Sequence, residues 1–343
     1  MTDRIILLFL SLISYSCLSE KEQSKISTFK EHKELFAVQY PNIEPSFDVL
    51  VDYIDSILIV VSCETGNAVS LYNRNDFSPI TSGVSIGNGP NEILYPFDLR
   101  VDEENRVFGV YDAPKKELLL FSLDSIMFSS KFIVQKRIKS SNSGEFRYPI
   151  IPISDSLNIS MTWTQDAHFQ ITDLNGRLIK SYGVFKEDPR LSNCPEFMVG
   201  AFWEGRYDLN SKTNKIVKAY LYHDKISIYN LDDGEEINAI YTSSNKYQNV
   251  IYDGSSLKVK DRRACYTSLH VSNNYIYALY HGGPLENSPD VLGREIHVFD
   301  LSGNPIKKLI LNPASTDISI DEEQGFIYGV NYAMDRPLLV YQL

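Results

Sequence analysis

The sequence predicts an all-β fold, a six-bladed β-propeller, and three observations carry that expectation. No stretch sustains a 3.6-residue apolar period; most of the chain is short alternating or apolar runs bounded by Asn, Asp, Gly and Pro, the pattern of strands and tight turns. Tyr (22) and Phe (17) are abundant, and their rings fit a pleated, half-buried surface. One strand type recurs at intervals of roughly 40 to 70 residues, the period of propeller blades.

The recurring strand reads SLYNRND (70–76), LLFSLD (119–124), QITDLNG (170–176), SIYNLDDG (227–234), HVFDLSG (297–303) and LVYQL (339–343). Its markers are Tyr72, Phe121, Thr172, Tyr229, Phe299 and Tyr341, and a short apolar run precedes each. Six units of four strands follow, except that the chain stops after the third strand of the sixth. ELFAVQY (34–40) is expected to supply the missing strand and close the ring, because closure removes exposed sheet edges.

The organisation expected is a signal peptide over 1–16, a lipidated tether over 17–32 and the propeller over 33–343. Ile5 to Ile13 is an apolar stretch too short to span a bilayer, which takes about 20 residues, but of signal-peptide length. Ser14 and Ser16 flank Tyr15 just before Cys17, the expected lipidation site; a plain secretory signal with an incidental cysteine is the alternative. The tether is polar and rich in Lys and Glu, as a spacer should be. A lipid anchor would tie the domain to a membrane of the cell envelope, with the outer membrane favoured.

A net charge of −11 and no basic run exclude a nucleic-acid partner, which needs a cationic stripe. The remaining cysteines, Cys63, Cys194 and Cys265, lie far apart without a CxxC pair. One bridge is possible, but buried free thiols are the simpler expectation.

In an antiparallel blade the loop between strands two and three lies on the same face as the link to the next blade. Loops of the opposite face are tight: 102–105, 174–176, 230–234, 272–274, 301–303 and 321–325. Loops of the first face are long: 139–147, 186–204, 243–264 and 281–293. Long loops on a rigid scaffold carry function, so the long-loop face is the expected working face. Trp163, Trp203, Arg263, His281 and Asn331 fall there and are the candidate ligand-binding residues. Aromatic faces and polar tips suit a glycan, a peptide or a partner protein. For each tryptophan the competing expectation is gap-filling between blades.

The second unit, SIGNGPNEILYPFDLRVDEENRVFGVYDAPKKELLLFSLD, resembles an NHL-type propeller repeat. Gly87 and Gly89 suit a loop needing positive φ or close backbone approach, with Pro90 and Glu92 completing the motif, and Asp112 is expected to cap the following turn. CYTSLHVSNNYIYALYHGG and REIHVFDLSGNPIKKLIL are similar to the TolB-like six-bladed propeller lipoproteins of Bacteroidetes. The resemblance covers roughly 34–343 and implies the fold and an envelope location, but no reaction.

No HExxH, GxSxG elbow or full calcium loop is present, so no cofactor or catalytic residue is expected. Asp232 and Asp233 read as a hairpin turn. The alternative to a binding protein is a metal-dependent hydrolase or lactonase, for which Glu92, Asp112 and Asp166 facing the axis would be the ligands.

Overall fold

The computed structural model describes residues 26–39, 49–63, 66–139, 150–162, 167–183, 191, 193–243, 249–254, 256–260, 263–285 and 291–343. Strand β1 (Glu31–Gln39) precedes a first sheet of β2 (Leu50–Ile54), β3 (Ile57–Val61), β4 (Asn67–Asn73) and β5 (Pro79–Ser85). The second sheet is β6 (Pro96–Asp102), β7 (Val107–Asp112), β8 (Glu117–Ser122) and β9 (Val134–Lys139), with helix α1 (Leu123–Ser129) between β8 and β9. The third is β10 (Ile150–Pro152), β11 (Leu157–Met161), β12 (Phe169–Asp173) and β13 (Leu178–Tyr182). Helix α2 (Glu196–Phe202) leads to the fourth: β14 (Gly205–Asn210), β15 (Lys215–Tyr220), β16 (Lys225–Asn230) and β17 (Glu236–Tyr241). A hairpin of β18 (Asn249–Tyr252) and β19 (Leu257–Lys260) follows. The fifth set is β20 (Tyr266–Val271), β21 (Tyr275–Tyr280), β22 (Gly293–Asp300) and β23 (Pro305–Ser315), and the sixth is β24 (Asp317–Asp321), β25 (Phe326–Val330) and β26 (Leu338–Gln342).

The six expected marker residues all fall on the third strand of their sets: Tyr72, Phe121, Thr172, Tyr229, Phe299 and Tyr341 lie on β4, β8, β12, β16, β22 and β26. The N-terminal segment pairs with the last strand as expected, Ala37, Val38 and Gln39 running antiparallel to Tyr341, Val340 and Leu339. Its first half does something the pattern did not predict. Glu31 to Phe36 run parallel to Lys307 to Asn312, so β1 joins the fifth and sixth sets into one eight-stranded sheet.

Side chains of a strand alternate between its two faces, and here both faces are covered. On β3, Ile57, Ile59 and Val61 enter a cluster with Phe108, Val110 and Phe121 of the second sheet. Leu58 and Val60 enter another with Tyr328, Val330 and Val340 of the sixth set. The same division recurs on β15, where Ile216 packs with the third sheet and Val217 and Ala219 with the fifth set. It recurs on β21, where Ile276 and Ala278 face the fourth sheet and Tyr277 and Leu279 the sixth set. Second and third sheets share a smaller cluster, Tyr111, Leu118, Ile138 and Ile150. Each set therefore packs on the next in chain order, and the last packs on the first.

Two short helices interrupt the strands. Ser122 caps α1, its Oγ accepting from the Ser125 amide. Ser130 ends the helix in the left-handed conformation at φ 54°. Seven residues with Leu123 and Ile126 as the buried pair are too few for a visible helical period. Cys63 is half-buried, and Cys194 and Cys265 are buried.

The joint between sixth and first sets holds the most deeply buried ion pair. Arg74 Nη1 lies 3.1 Å from Asp321 Oδ2, with side chains 4% and 0% exposed, and the guanidinium stacks 4.8 Å from the Tyr53 ring. Tyr53 Oη also donates to Ile320 O. Removing one charge of a buried pair strands the other, which costs about 3–5 kcal/mol. Asp321→Asn is expected to lower unfolding stability by that amount in urea titrations. A loss below about 1 kcal/mol, the range of exposed pairs, would show that the joint does not depend on the pair.

Candidate functional site

Strand β6 begins after a loop that the sequence singled out. Gly87 and Gly89 have no positive φ; a Cβ on either would lie 2.2 or 2.8 Å from Glu92 Oε2 and would push that carboxylate aside. Glu92 Oε2 accepts from the Gly89 amide at 2.6 Å. Lys115 Nζ donates to three carbonyls, Gly87 O, Gly89 O and Glu92 O, at 3.1, 3.1 and 2.7 Å. It also lies 3.4 Å from Asp112. Asp112, fully buried, accepts from the amides of Leu94 and Tyr95 at 2.8 and 3.2 Å. The expected cap on the following turn is thus a staple on the preceding segment. Pro90 is exposed at the tip of this loop.

Of the expected metal set, Glu92 and Asp112 do not line the central cavity described below, and their carboxylates accept from neighbouring amides. Asp166 lies outside the described residues. Among the described residues no group of three or more His, Cys, Asp or Glu is placed to hold a metal ion.

The long-loop candidates that the structure describes are engaged internally. Trp203 is 7% exposed, packed on Phe202, Tyr220 and His223 at the end of α2. Asn331 is buried, donating to Ala314 O and accepting from the Ala333 amide. Arg263 Nε donates to Gly282 O at 3.1 Å, and His281 Nδ1 donates to Leu292 O at 2.7 Å. Trp163 and Cys17 lie outside the described residues. Asp232 and Asp233 sit in the expected hairpin turn, with Asn230 Oδ1 and Asp233 Oδ1 accepting local amides.

The first strands of all six sets, β2, β6, β10, β14, β20 and β24, instead line one central cavity of about 2030 Å³. Each has one edge without a neighbouring strand, so the amides and carbonyls on that edge need other partners. Polar side chains on adjoining first strands supply them. Asp208 Oδ2 accepts from the Val271 amide at 2.8 Å, and Arg206 Nε donates to Thr267 O at 3.1 Å. Asn210 Nδ2 donates to Ser272 O at 2.7 Å, and Ser268 Oγ accepts from the Ile318 amide at 3.3 Å. Side chains also bond one another around the cavity: Arg100 to Asp98 and Asp208 at 2.7 and 3.3 Å, Ser268 to Asp317, and Ser319 to Asp52 at 2.7 Å.

Charge in this girdle is held against desolvation. Burial opposes the Arg100 charge, but Asp98 and Asp208 outweigh it and hold the guanidinium above its ordinary range. Burial raises Asp98 despite the pull of Arg100. Burial pushes Asp52 up from 3.8 to about 6, against His270, the Ser319 hydroxyl and the Tyr53 amide. Away from the cavity, burial pushes the Lys218 ammonium between the third and fourth sheets down to about 7.

Sequence reasoning missed this site. Its signal was a period-two polar pattern on the first strands: Asp98 and Arg100, Arg206 and Asp208, Ser268 and His270, Asp317 and Ser319.

A sequence model of the TolB-like 6-blade propeller-like family matches residues 19–323, and the chain belongs to that family. A member of the DUF4221 family from Bacteroides vulgatus ATCC 8482 is 12% identical, with a TM-score of 0.57 over 90% of this chain and 95% of its own. A protein from Bacteroides fragilis NCTC 9343, described as a "Putative exported protein", is 11% identical, with a TM-score of 0.57 over 93% and 99%. At these identities the likeness is one of fold. No curated protein matches the chain.

Asp52 makes stability depend on pH in a definite sense. Its folded pKa of about 6 lies above its ordinary 3.8, so between those values the folded state holds the proton more tightly than the unfolded state. The resulting stability is present at low pH and lost as pH rises through about 6. Asp52→Asn is expected to flatten the fall in urea midpoint between pH 4 and pH 7. Parallel profiles for the two proteins would contradict the assignment.

Proposed function

We propose that this member of the TolB-like propeller family is an envelope-anchored binding protein: a six-bladed ring, closed where β1 joins the last blade, that takes a glycan, a peptide or a segment of a partner protein into its central cavity from the long-loop face. The cavity carries the reading. Its roughly 2030 Å³ exceeds the roughly 300–1,000 Å³ of an ordinary small-molecule site, so its occupant is an extended molecule. The rim at the start of the first strands offers Tyr95, Phe97 and Arg206, and the chain enters those strands from the long loops. An aromatic and charged mouth over a polar girdle suits recognition.

Support for the envelope location comes from the apolar stretch ending at Cys17 and from the Bacteroides fragilis neighbour's description as exported. Among the described residues no helix is long and apolar enough to cross a membrane. Cys17→Ser is expected to move the protein from the membrane fraction to the soluble fraction on cell fractionation; retention in the membrane would sink the lipid anchor.

Binding is tested by thermal shift. A ligand at 100 times its Kd adds about 2.7 kcal/mol, which raises the melting point of a domain this size by several degrees. We expect some member of a panel of oligosaccharides and peptides to do so for the parent protein and to do so less for His270→Trp, which places a bulky ring on the cavity wall. Equal shifts in both proteins would put the ligand elsewhere.

A further inference from the structure

We propose that the tight-loop mouth of the cavity holds a site for an organic cation, the ammonium or guanidinium group that a peptide's lysine or arginine side chain carries, built on Glu322 and the ring of Tyr275. It rests on the cavity being the binding site, and it adds a point of recognition at the mouth opposite the long loops.

The two residues come from neighbouring sets and are joined by one hydrogen-bonded cluster. Tyr275 opens β21 directly after the tight turn 272–274, and Glu322 follows β24 in the tight turn 321–325. Tyr275 and Tyr277 stand two apart on β21, on one face of the strand, with ring centroids 6.2 Å apart. Tyr277 Oη donates to Glu322 Oε1 at 2.9 Å, and Ser272 Oγ donates to the same oxygen at 2.5 Å. Asn274 Nδ2 donates to Glu322 Oε2 at 2.8 Å. The fifth set thus fixes the carboxylate of the sixth, and all five residues line the cavity.

This carboxylate is positioned but not neutralised. Its three donors are uncharged, two on Oε1 and one on Oε2. A carboxylate offers about four acceptor positions, so Oε2 keeps one for a further donor. Burial and the Glu322 charge push the Tyr277 hydroxyl up from its ordinary range, so it keeps its proton and stays a donor. Arg74 reaches the adjacent Glu323 at 3.7 Å, but among the described residues no cation pairs with Glu322. Tyr275 is 37% exposed, a ring open to the mouth. An aromatic face and a carboxylate attract the same cation, and the apolar stem of a long basic side chain packs on a ring.

The surrounding wall has the same bias. Ten Asp and Glu residues line the cavity against five Lys and Arg. Arg100 is spent on Asp98 and Asp208, Arg206 Nε on Thr267 O and Lys136 on Asp155 O. The tight turn of the second set adds Asp102, Glu103 and Glu104 to the mouth that carries Glu322 and Glu323. An anionic ligand is repelled there, a neutral sugar gains nothing from the charge, and a cation is drawn in.

Calorimetric titration of the purified protein at low salt tests this, using trilysine, triarginine, triglutamate, spermidine and a neutral malto-oligosaccharide. We expect trilysine or triarginine to bind, with Kd rising roughly tenfold in Glu322→Gln and roughly threefold in Tyr275→Leu. Glu104→Gln, which removes a carboxylate of the second set at the same mouth, is expected to change Kd little. Tyr275 and Glu104 are exposed, so their variants should melt with the parent, and the contrast between them stands whatever Glu322→Gln does to the fold. Equal weakening by Glu322→Gln and Glu104→Gln, with Tyr275→Leu unchanged, would show diffuse attraction and overturn the site. Spermidine bound with the same dependence on Glu322 and Tyr275 would support the site and name a free polyamine as its occupant; spermidine silent beside a bound basic peptide would name the peptide. Triglutamate or the sugar bound with the cations silent would overturn the cation assignment and leave the cavity reading standing. Silence from every ligand would overturn the cavity reading with it.

Discussion

Among the described residues, none of the six sets has a solvent face to spare on its middle strands, and that constraint governs the rest. Where the middle strand of a sheet is apolar on both sides, as Ile57 to Val61 is throughout, neither face can be left to water; each fully buried Ile or Val is worth about 1.5–3 kcal/mol. A linear stack would expose the outer faces of its two end sheets. Packing the sixth set on the first, through Tyr328, Val330 and Val340 against Leu58 and Val60, covers both. Strand β1 adds a backbone tie between the two ends of the chain, and the Arg74–Asp321 pair adds a buried charge at the same joint.

Stacking by faces leaves a different problem at the edges. The first strand of each set ends its sheet, and six such edges meet at the cavity. On the fifth and sixth of these edges, backbone groups are met by carboxylate, guanidinium, amide and hydroxyl side chains from the preceding set. The polar girdle is therefore a structural consequence before it is a recognition surface.

Strand type and repeat were legible because the third strands carry an aromatic marker before a polar turn, and turn chemistry is local. The third set was hardest to read for a visible reason. Asn158, Ser160, Gln170 and Thr172 on β11 and β12 are buried polar residues where other sets carry aliphatic ones, so its apolar pattern is thin. Helix α1 and the β18–β19 hairpin left no mark, being too short for a period. The candidate site was misjudged because residue type does not disclose exposure. Trp203, Asn331, Arg263 and His281 have the chemistry of a binding loop but spend it on their neighbours. The alternating Asp, Arg and Ser of the first strands look like ordinary solvent-facing strand positions until six edges are brought together.

Amide hydrogen exchange on the purified protein, with and without a ligand that raises its melting point, tests the central claim most directly. The account predicts slowed exchange on the first strands that line the cavity, β6, β14 and β20 among them, with the β18–β19 hairpin unchanged. Protection confined to that hairpin or to the long loops, with the first strands unaltered, would contradict a ligand site in the cavity.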